Sequence, residues 1–445
     1  MMQKNRALTL GAIAVSAALL AGCSTGSGGS GGSDGSGEGT VKLVAWPGPE
    51  GDAMAQVVDA YNAGQGKEDG VEVEVTLLSR QDTFSKETAL MASKSSDVDI
   101  YWTASYNVGQ FAPSLEPLTD IDTSAYFPVA AEGLTYEGEL YALPLDVSNH
   151  FLLYRKDLID ALLSDPAAQA EYEKISETVL GEARAPKDPS EWDLDDFKVA
   201  AAYFSQSTNP DSPTEYGTIL QAKNLLYNTM IWNDVLWGYG GNWEEDGKAA
   251  LTSDAAKKAV QLYADIYENK WTSPDSAQAE FPETQAALQS GDTAFAIQWS
   301  AAFAALNDPE QSPDVAGKIA IAPVPGGQTH VHALAVSLNK YSENKDAAKK
   351  FLSFLATTDA MTQYAEAGGI PAMPEVLEAK ADINPAFAQV SDSISEYGFS
   401  EPVFPQTFQA YSKLAEDLSG AWVGQTDVDE ALETANANLQ ELLDR

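Results

Sequence analysis

Cysteine is all but missing from this chain: Cys23 is the only one in 445 residues. An intrachain disulfide is excluded, and beyond Cys23 so are cysteine nucleophiles and cysteine-held metals. Basic residues are scarce too, 26 Lys and Arg against 66 Asp and Glu, for a formal charge of −40. Binding to nucleic acid is excluded on that ground, because holding phosphates needs a basic surface. The acidic excess reads as a solvated coat that favours solubility. At physiological salt its field is screened beyond about 8 Å. G-x-S-x-G, Walker and H-E-x-x-H patterns are all lacking, so catalysis has no positive support and no cofactor is expected. Beyond the N-terminus no apolar run approaches the roughly 20 residues of a membrane span.

What is present begins with a leader. Lys4 and Arg6 precede the apolar run "ALTLGAIAVSAALLA", which is too short to span a bilayer and has the layout of an export signal over residues 1–22. "LAGC", ending at Cys23, resembles the lipobox of bacterial lipoproteins. The resemblance implies cleavage before Cys23, lipidation of its thiol, and a protein anchored to the outer face of the cell membrane. Two acyl chains suffice for a stable anchor. The Gly/Ser run that completes residues 23–40 reads as a flexible tether with a root-mean-square reach of roughly 20–25 Å.

From Thr40 onward, strand and helix patterns alternate. "TVKLVAW" is an apolar strand, and "VEVEVTLL" alternates valine with glutamate at period two. "DVDIYWTA" is another strand, and helical patterns separate the three. Such alternation marks a mostly parallel sheet with crossover helices. "YEGEL" and "EEDGK" read as hairpin turns, with Glu137-Gly138 and Asp246-Gly247 at their tips. Ser190 is placed as a helix N-cap with Asp193 three residues on. "SENKDAAKKFLSFLAT" is an amphipathic helix with Ala347, Phe351, Phe354 and Leu355 on one side.

The order of segments resembles the bacterial extracellular solute-binding proteins of family 1, the carbohydrate-binding components of ATP-driven importers. "LVAWPGPEG", "YEGELYALPLDVSNHFLLYRKDLI", "DPSEWDLDDF", "GYGGNWEEDGKAALTS", "LQSGDTAFAIQWS" and "AEAGGIPAMPEVL" carry the resemblance. It implies an α/β protein with the two-lobed, type II periplasmic-binding-protein-like fold. Each lobe would be a mostly parallel sheet flanked by helices, with ligand in the cleft between them. Mapped onto this chain, one lobe takes 41–148 plus 300–350 and the other 150–298 plus 352–445, with crossings near "LPLDVSN" and "IQWS".

A sugar presents an apolar C–H face and a rim of hydroxyls, so a site for it needs aromatic platforms and short polar groups. Nine tryptophans are available. Trp46, Trp102, Trp237 and Trp299 lie at ends of expected elements, where a cleft opens, and Trp232 lies near Trp237 on one helix. Trp299 falls where the family tends to place a ligand-stacking tryptophan. Asp146 and Asn149 follow Pro144 at the first crossing, Glu50 follows the first strand, and His332 stands at a strand end. Gly369 would let backbone approach a ligand, lacking a Cβ. Core packing is the competing reading for each tryptophan, and a helix C-cap for the glycine. His330 and His332 have chelating spacing but lack a third ligand in view, so no metal is assigned.

The resemblance, with these residues, implies a non-enzymatic, monomeric binder that delivers a neutral sugar or oligosaccharide to separate permease subunits by lobe closure. A binder of a cationic ligand such as a polyamine is the first alternative, favoured if several buried acids face the cleft. An anchored glycoside hydrolase is the second and would need two carboxyl groups flanking the scissile bond.

Overall fold

The computed structural model describes residues 39–445 apart from Pro385; Cys23, the leader and most of the tether lie outside the described residues. Strand β1 (Gly39–Ala45) pairs in parallel with β2 (Val71–Leu77), with Val41 opposite Val73 and Leu43 opposite Val75. The helix Pro49–Ala63 makes the crossover. In β2 the valines Val71 and Val73 are buried and Glu72 and Glu74 exposed, as period two requires of an edge strand with one covered face. Strand β3 (Ile100–Ala104) lies on the other side of β1 and is buried at all its residues.

Strands β4 (Thr135–Tyr136) and β5 (Glu139–Leu140) close the first hairpin. Positive φ at both Glu137 and Gly138 matches the turn that two-residue hairpins favour. There follow β6 (Leu143–Arg155), β7 (Tyr216–Thr218), the hairpin strands β8 (Glu244–Glu245) and β9 (Lys248–Ala249), β10 (Thr293–Trp299), β11 (Ile319–Ala322), β12 (Thr329–Leu338) and β13 (Gly398–Phe399). The main sheet runs β2-β1-β3-β12-β6-β10-β7, with β11 also on β6 and β13 on β12.

Strand β6 carries the chain from one lobe into the other. Leu143–Asn149 pair with β12 in the first lobe, whereas His150–Tyr154 pair with β10 and Leu152–Arg155 with β11 in the second. A strand passing between lobes opposes the direction of its new neighbours, so β6 and β12 pair antiparallel while β1, β2, β3 and the β7–β10 pair stay parallel. The lobe sheets are therefore mixed, less parallel than the sequence pattern implied.

Two lobe boundaries differ from the expected ones. The chain does not cross at "IQWS": the helix Ala302–Asn307 packs on β11, and β11 lies against the second-lobe half of β6. The return crossing is β12, which reaches β3 through Leu334–Leu338. Nor does the region after 352 belong wholly to the second lobe. The helix Lys345–Leu355 packs on β1 and β2, and the helix Thr358–Glu366 on Pro49–Ala63. Phe351 and Phe354 close on the Tyr61 ring at 5.0 and 4.9 Å. The helices Thr407–Trp422 and Val428–Leu443 return to the second lobe, against Leu226–Gly238 and Asp254–Glu268. One cap also moves. Asp193 caps the helix Leu194–Tyr203 in a box with Asp196, while Ser190 sits in a preceding 3-10 turn capped by Asp188.

Candidate ligand-binding cleft

A cavity of ≈570 Å³ lies where the lobes face each other. Strand ends and helix starts converge on it, as expected at the carboxyl ends of sheet strands. The first lobe supplies Trp46 just past β1, Glu50 in the first turn of its helix, and Arg80 at the start of the helix Arg80–Ser93. The crossing strands supply Asp146, Ser148, His332 and Leu334. From the second lobe come Trp299 and the starts of two helices, with Tyr227, Asn228 and Phe281. Gly368, Ile370 and Asn384 lie along loops at its edge.

Trp46 is held by its neighbours. A Cβ on Gly51 would sit 1.9 Å from the Trp46 carbonyl oxygen, so only glycine admits this turn. The indole Nε1 donates to Glu50 Oε1 at 2.8 Å, and Trp102 meets the ring edge-on from behind at 5.8 Å. Over Trp46 lies the Arg80 guanidinium, 4.8 Å from the ring centroid. It also donates to the Tyr227 hydroxyl at 2.9 Å and stands 3.8 Å from Glu50 Oε1.

Asp146 is buried at the cavity wall. Its Oδ2 accepts from the Ile370 backbone N–H at 2.7 Å and from the Tyr364 hydroxyl at 3.0 Å. Burial pushes its carboxyl up to about 8, against the lowering effect of those two hydrogen bonds. At neutral pH it is therefore mostly an uncharged acid.

His332 in the cavity wall and His150 and His330 beneath it form one aromatic and polar layer around Trp299. Trp299 stands edge-on to His150 at 4.2 Å and to His332 at 6.3 Å. His332 stacks on Tyr106 at 5.3 Å, and burial takes its imidazole down to about 3. His150 Nδ1 meets Asp234 Oδ2 at 2.7 Å, and Asp234 Oδ1 accepts the His330 backbone N–H at 2.7 Å. Burial drives His150 far below the usual histidine range and Asp234 far above the usual carboxylate range. Both directions favour the uncharged pair, with one proton between them. His330 Nε2 meets Glu401 Oε2 at 2.9 Å and the Tyr411 hydroxyl at 3.1 Å. Although burial opposes it, the His330 hydrogen bond and charge hold Glu401 below its ordinary value.

A family model for bacterial extracellular solute-binding proteins matches residues 56–389. The chain belongs to that family.

This solute-binding protein is 23% identical over 214 residues to a probable amino-acid ABC transporter periplasmic-binding protein of Sinorhizobium fredii, covering 46% of this chain and 48% of that one. It thus spans about half the length of that relative. It is 24% identical over 271 residues to the mannitol-binding protein of Pseudomonas aeruginosa, covering 58% of this chain and 56% of that one. Among solved structures it shares the fold of maltose-bound MalE3 of T. maritima, with a TM-score of 0.70 and 22% identity over 91% of this chain and 99% of that one. No helix among the described residues is long and apolar enough to cross a membrane.

Of the expected site residues, Trp46, Glu50, Asp146, Trp299 and His332 line the solute-binding protein's cavity. Trp102, Asn149, Trp232, Trp237 and Gly369 do not, each for a reason of facing. Trp102 lies behind Trp46 on a fully buried strand. Alternation along β6 puts Asp146 and Ser148 on the cavity side and turns Asn149 away, toward Ser393 Oγ at 3.1 Å. Trp232 faces Trp422 in the second-lobe core. Trp237 stacks on His330 and leans on Phe399, one layer below the cavity. Gly369 serves the site indirectly. A Cβ there would meet the Tyr364 ring at 2.0 Å, so its absence lets that tyrosine reach Asp146.

Arg80, Tyr227, Asn228, Gln221 and Phe281 escaped the sequence reading. Arg80, Tyr227 and Phe281 stand in the first turns of helices, a signal that attention to tryptophans at strand ends passes over. Asn228 Nδ2 donates to the Lys223 and Ala279 carbonyls, leaving its buried Oδ1 unpaired among the described residues. Gln298 Oε1 accepts from both Gln221 Nε2 and the Trp299 backbone N–H at 2.9 Å, which fixes the strand end that presents Trp299.

Proposed function

We propose that this protein captures a neutral polyhydroxylated solute, a sugar, oligosaccharide or sugar alcohol, and hands it to the permease of an ATP-driven importer. The observation that carries the reading is the pairwise cancellation of charge around an aromatic cavity. Glu50 faces Arg80 at 3.8 Å, Glu280 faces Lys223 at 2.8 Å, and the Asp146 carboxyl is pushed up to about 8. A cationic ligand such as a polyamine would need uncompensated acids, and the cleft offers none among these three. An amino acid, which the S. fredii relative's name suggests, would need a free cation for its carboxylate, and Arg80 is engaged with Tyr227. Trp299 supplies a face for a C–H surface, while Asp146, Ser148 and Asn228 supply polar groups for hydroxyls. The mannitol- and maltose-binding relatives support the same class.

The mechanism is lobe closure. Ligand touching both lobes stabilises the closed state by its differential affinity, and micromolar binding requires only about 8 kcal/mol. Asp146 binds rather than catalyses in this reading, being fastened through Oδ2 to backbone and tyrosine. The lipid on Cys23 and the Gly/Ser tether keep the body near its permease.

The test is calorimetric titration of the protein lacking residues 1–23 with sugars, oligosaccharides and sugar alcohols, alongside putrescine and amino acids. Saturable binding to at least one neutral solute, without new reducing ends, is expected. Binding confined to putrescine or an amino acid, or sustained release of reducing ends, would overturn the reading.

A further inference from the structure

Two aromatic faces and a carboxylate converging on one point form a cage for an organic cation. Trp46, Tyr227 and Glu50 make such a cage at the edge of the cleft, and it is already filled. The guanidinium carbon of Arg80 lies 4.8 Å from the Trp46 centroid and 5.6 Å from the Tyr227 centroid. Its Nη1 donates to the Tyr227 hydroxyl at 2.9 Å, and its Nη2 stands 3.8 Å from Glu50 Oε1. Arg80 is the one cationic side chain among the described residues that line the cavity.

We propose that Arg80 is a specificity-determining residue that occupies, from within the chain, a cation cage formed by Trp46, Tyr227 and Glu50 and so excludes amines from the cleft. The exclusion matters because the chain carries a formal charge of −40, which draws cations toward it. With Arg80 in place, an incoming ammonium must displace a tethered guanidinium and meets like charge while doing so. A neutral polyol meets neither obstacle. Half of the Arg80 side chain is exposed, so the cage opens to solvent once the arginine is removed. Trp46 belongs to the first lobe and Tyr227 to the second, so the cage is complete only with the lobes together. The inference rests on the neutral-ligand reading for its purpose, but its geometry stands independently.

The experiment titrates wild type, Arg80→Ala and the double variant Arg80→Ala/Glu50→Gln with tetramethylammonium and putrescine, following tryptophan indole resonances by NMR. Arg80→Ala is expected to bind at least one of the two cations roughly 30- to 100-fold more tightly than wild type does. Adding Glu50→Gln is expected to remove most of that gain. A folded Arg80→Ala protein with no gain for either cation would overturn the proposal, as would a wild type that binds them equally well. A parallel titration with neutral solutes separates the two readings. Wild type that binds a polyol while Arg80→Ala gains no cation rejects the cage alone. A gained cation site in a protein that binds no neutral solute rejects the proposed function alone.

Discussion

The Trp299 indole stands edge-on to the buried His150 imidazole, their centroids 4.2 Å apart and their planes at 80°. The contact joins the end of β10 to the middle of β6 at the point where Trp299 pairs with His150 in the sheet. A part-buried ring at the end of β10 is thereby braced against the strand that links the lobes.

Trp299→Ala removes that platform and leaves the backbone pairing intact. Ligand affinity is expected to fall roughly 10- to 100-fold, as for other truncated aromatic anchors, with a small change in melting temperature because the ring is only part-buried. Calorimetry with whichever neutral solute binds wild type checks this. An unchanged dissociation constant would remove Trp299 from the contact set.

Asp146 makes stability depend on pH in a predictable direction. Its carboxyl is pushed up to about 8 from 3.8, mainly by burial. The folded state then holds a proton that the unfolded state has released, so the contribution is full below the unfolded value of 3.8. It is lost as pH rises through the folded value near 8. Asp146→Asn cannot ionise and can still accept from Ile370 and Tyr364. Melting curves across pH 5–8 are expected to fall less steeply for the variant, whereas equal slopes would contradict the assignment.

The His330–Glu401 pair is buried on both sides at 2.9 Å. Removing one partner of such a pair leaves the other uncompensated, which costs about 3–5 kcal/mol. Glu401→Ala is expected to lower the urea midpoint accordingly and to weaken ligand binding only through the layer beneath Trp299. A loss under about 1 kcal/mol would mean that water or a neighbour takes over the partner role.

Gly369→Ala tests the indirect role of that glycine. The added Cβ would lie 2.0 Å from a Tyr364 ring carbon, so the ring must shift and its hydroxyl leave Asp146. Overpacking of this kind costs about 1–3 kcal/mol, and ligand affinity should fall with it. Retained stability and affinity would show that the loop yields without disturbing Asp146.

Cys23→Ala tests the anchor. The variant is expected in the medium rather than in the membrane fraction, with ligand affinity unchanged. A variant that stays membrane-bound would refute lipidation at this residue, and lost affinity would give the tether a second role.

The alternating β2 valines, the two hairpin tips and the amphipathic face of Lys345–Leu355 were legible because each depends on neighbours within a few residues. Order of segments carried the family and the two-lobed architecture. The lobe boundaries were not legible in full. Nothing local tells that β11 pairs with Leu152–Arg155 rather than returning to the first lobe, or that the helix Thr358–Glu366 lies on Pro49–Ala63.

The cleft divides along the same line. Trp46 and Trp299 could be chosen from sequence because a residue at the end of a core strand opens toward the cleft whatever lies across from it. Trp232 and Trp237 satisfied similar chemistry yet face Trp422 and His330, because a helix buried nearly all round has no face that its own composition marks out. Arg80, Tyr227 and Glu50 are separated along the chain and polar or amphipathic one by one. Their meeting over Trp46 is created only when two lobes, linked by β6 and β12, bring helix starts from both sides to one point. Composition and local pattern settle which groups are available and where the elements run. Long-range strand pairing alone decides which of those groups share a cavity.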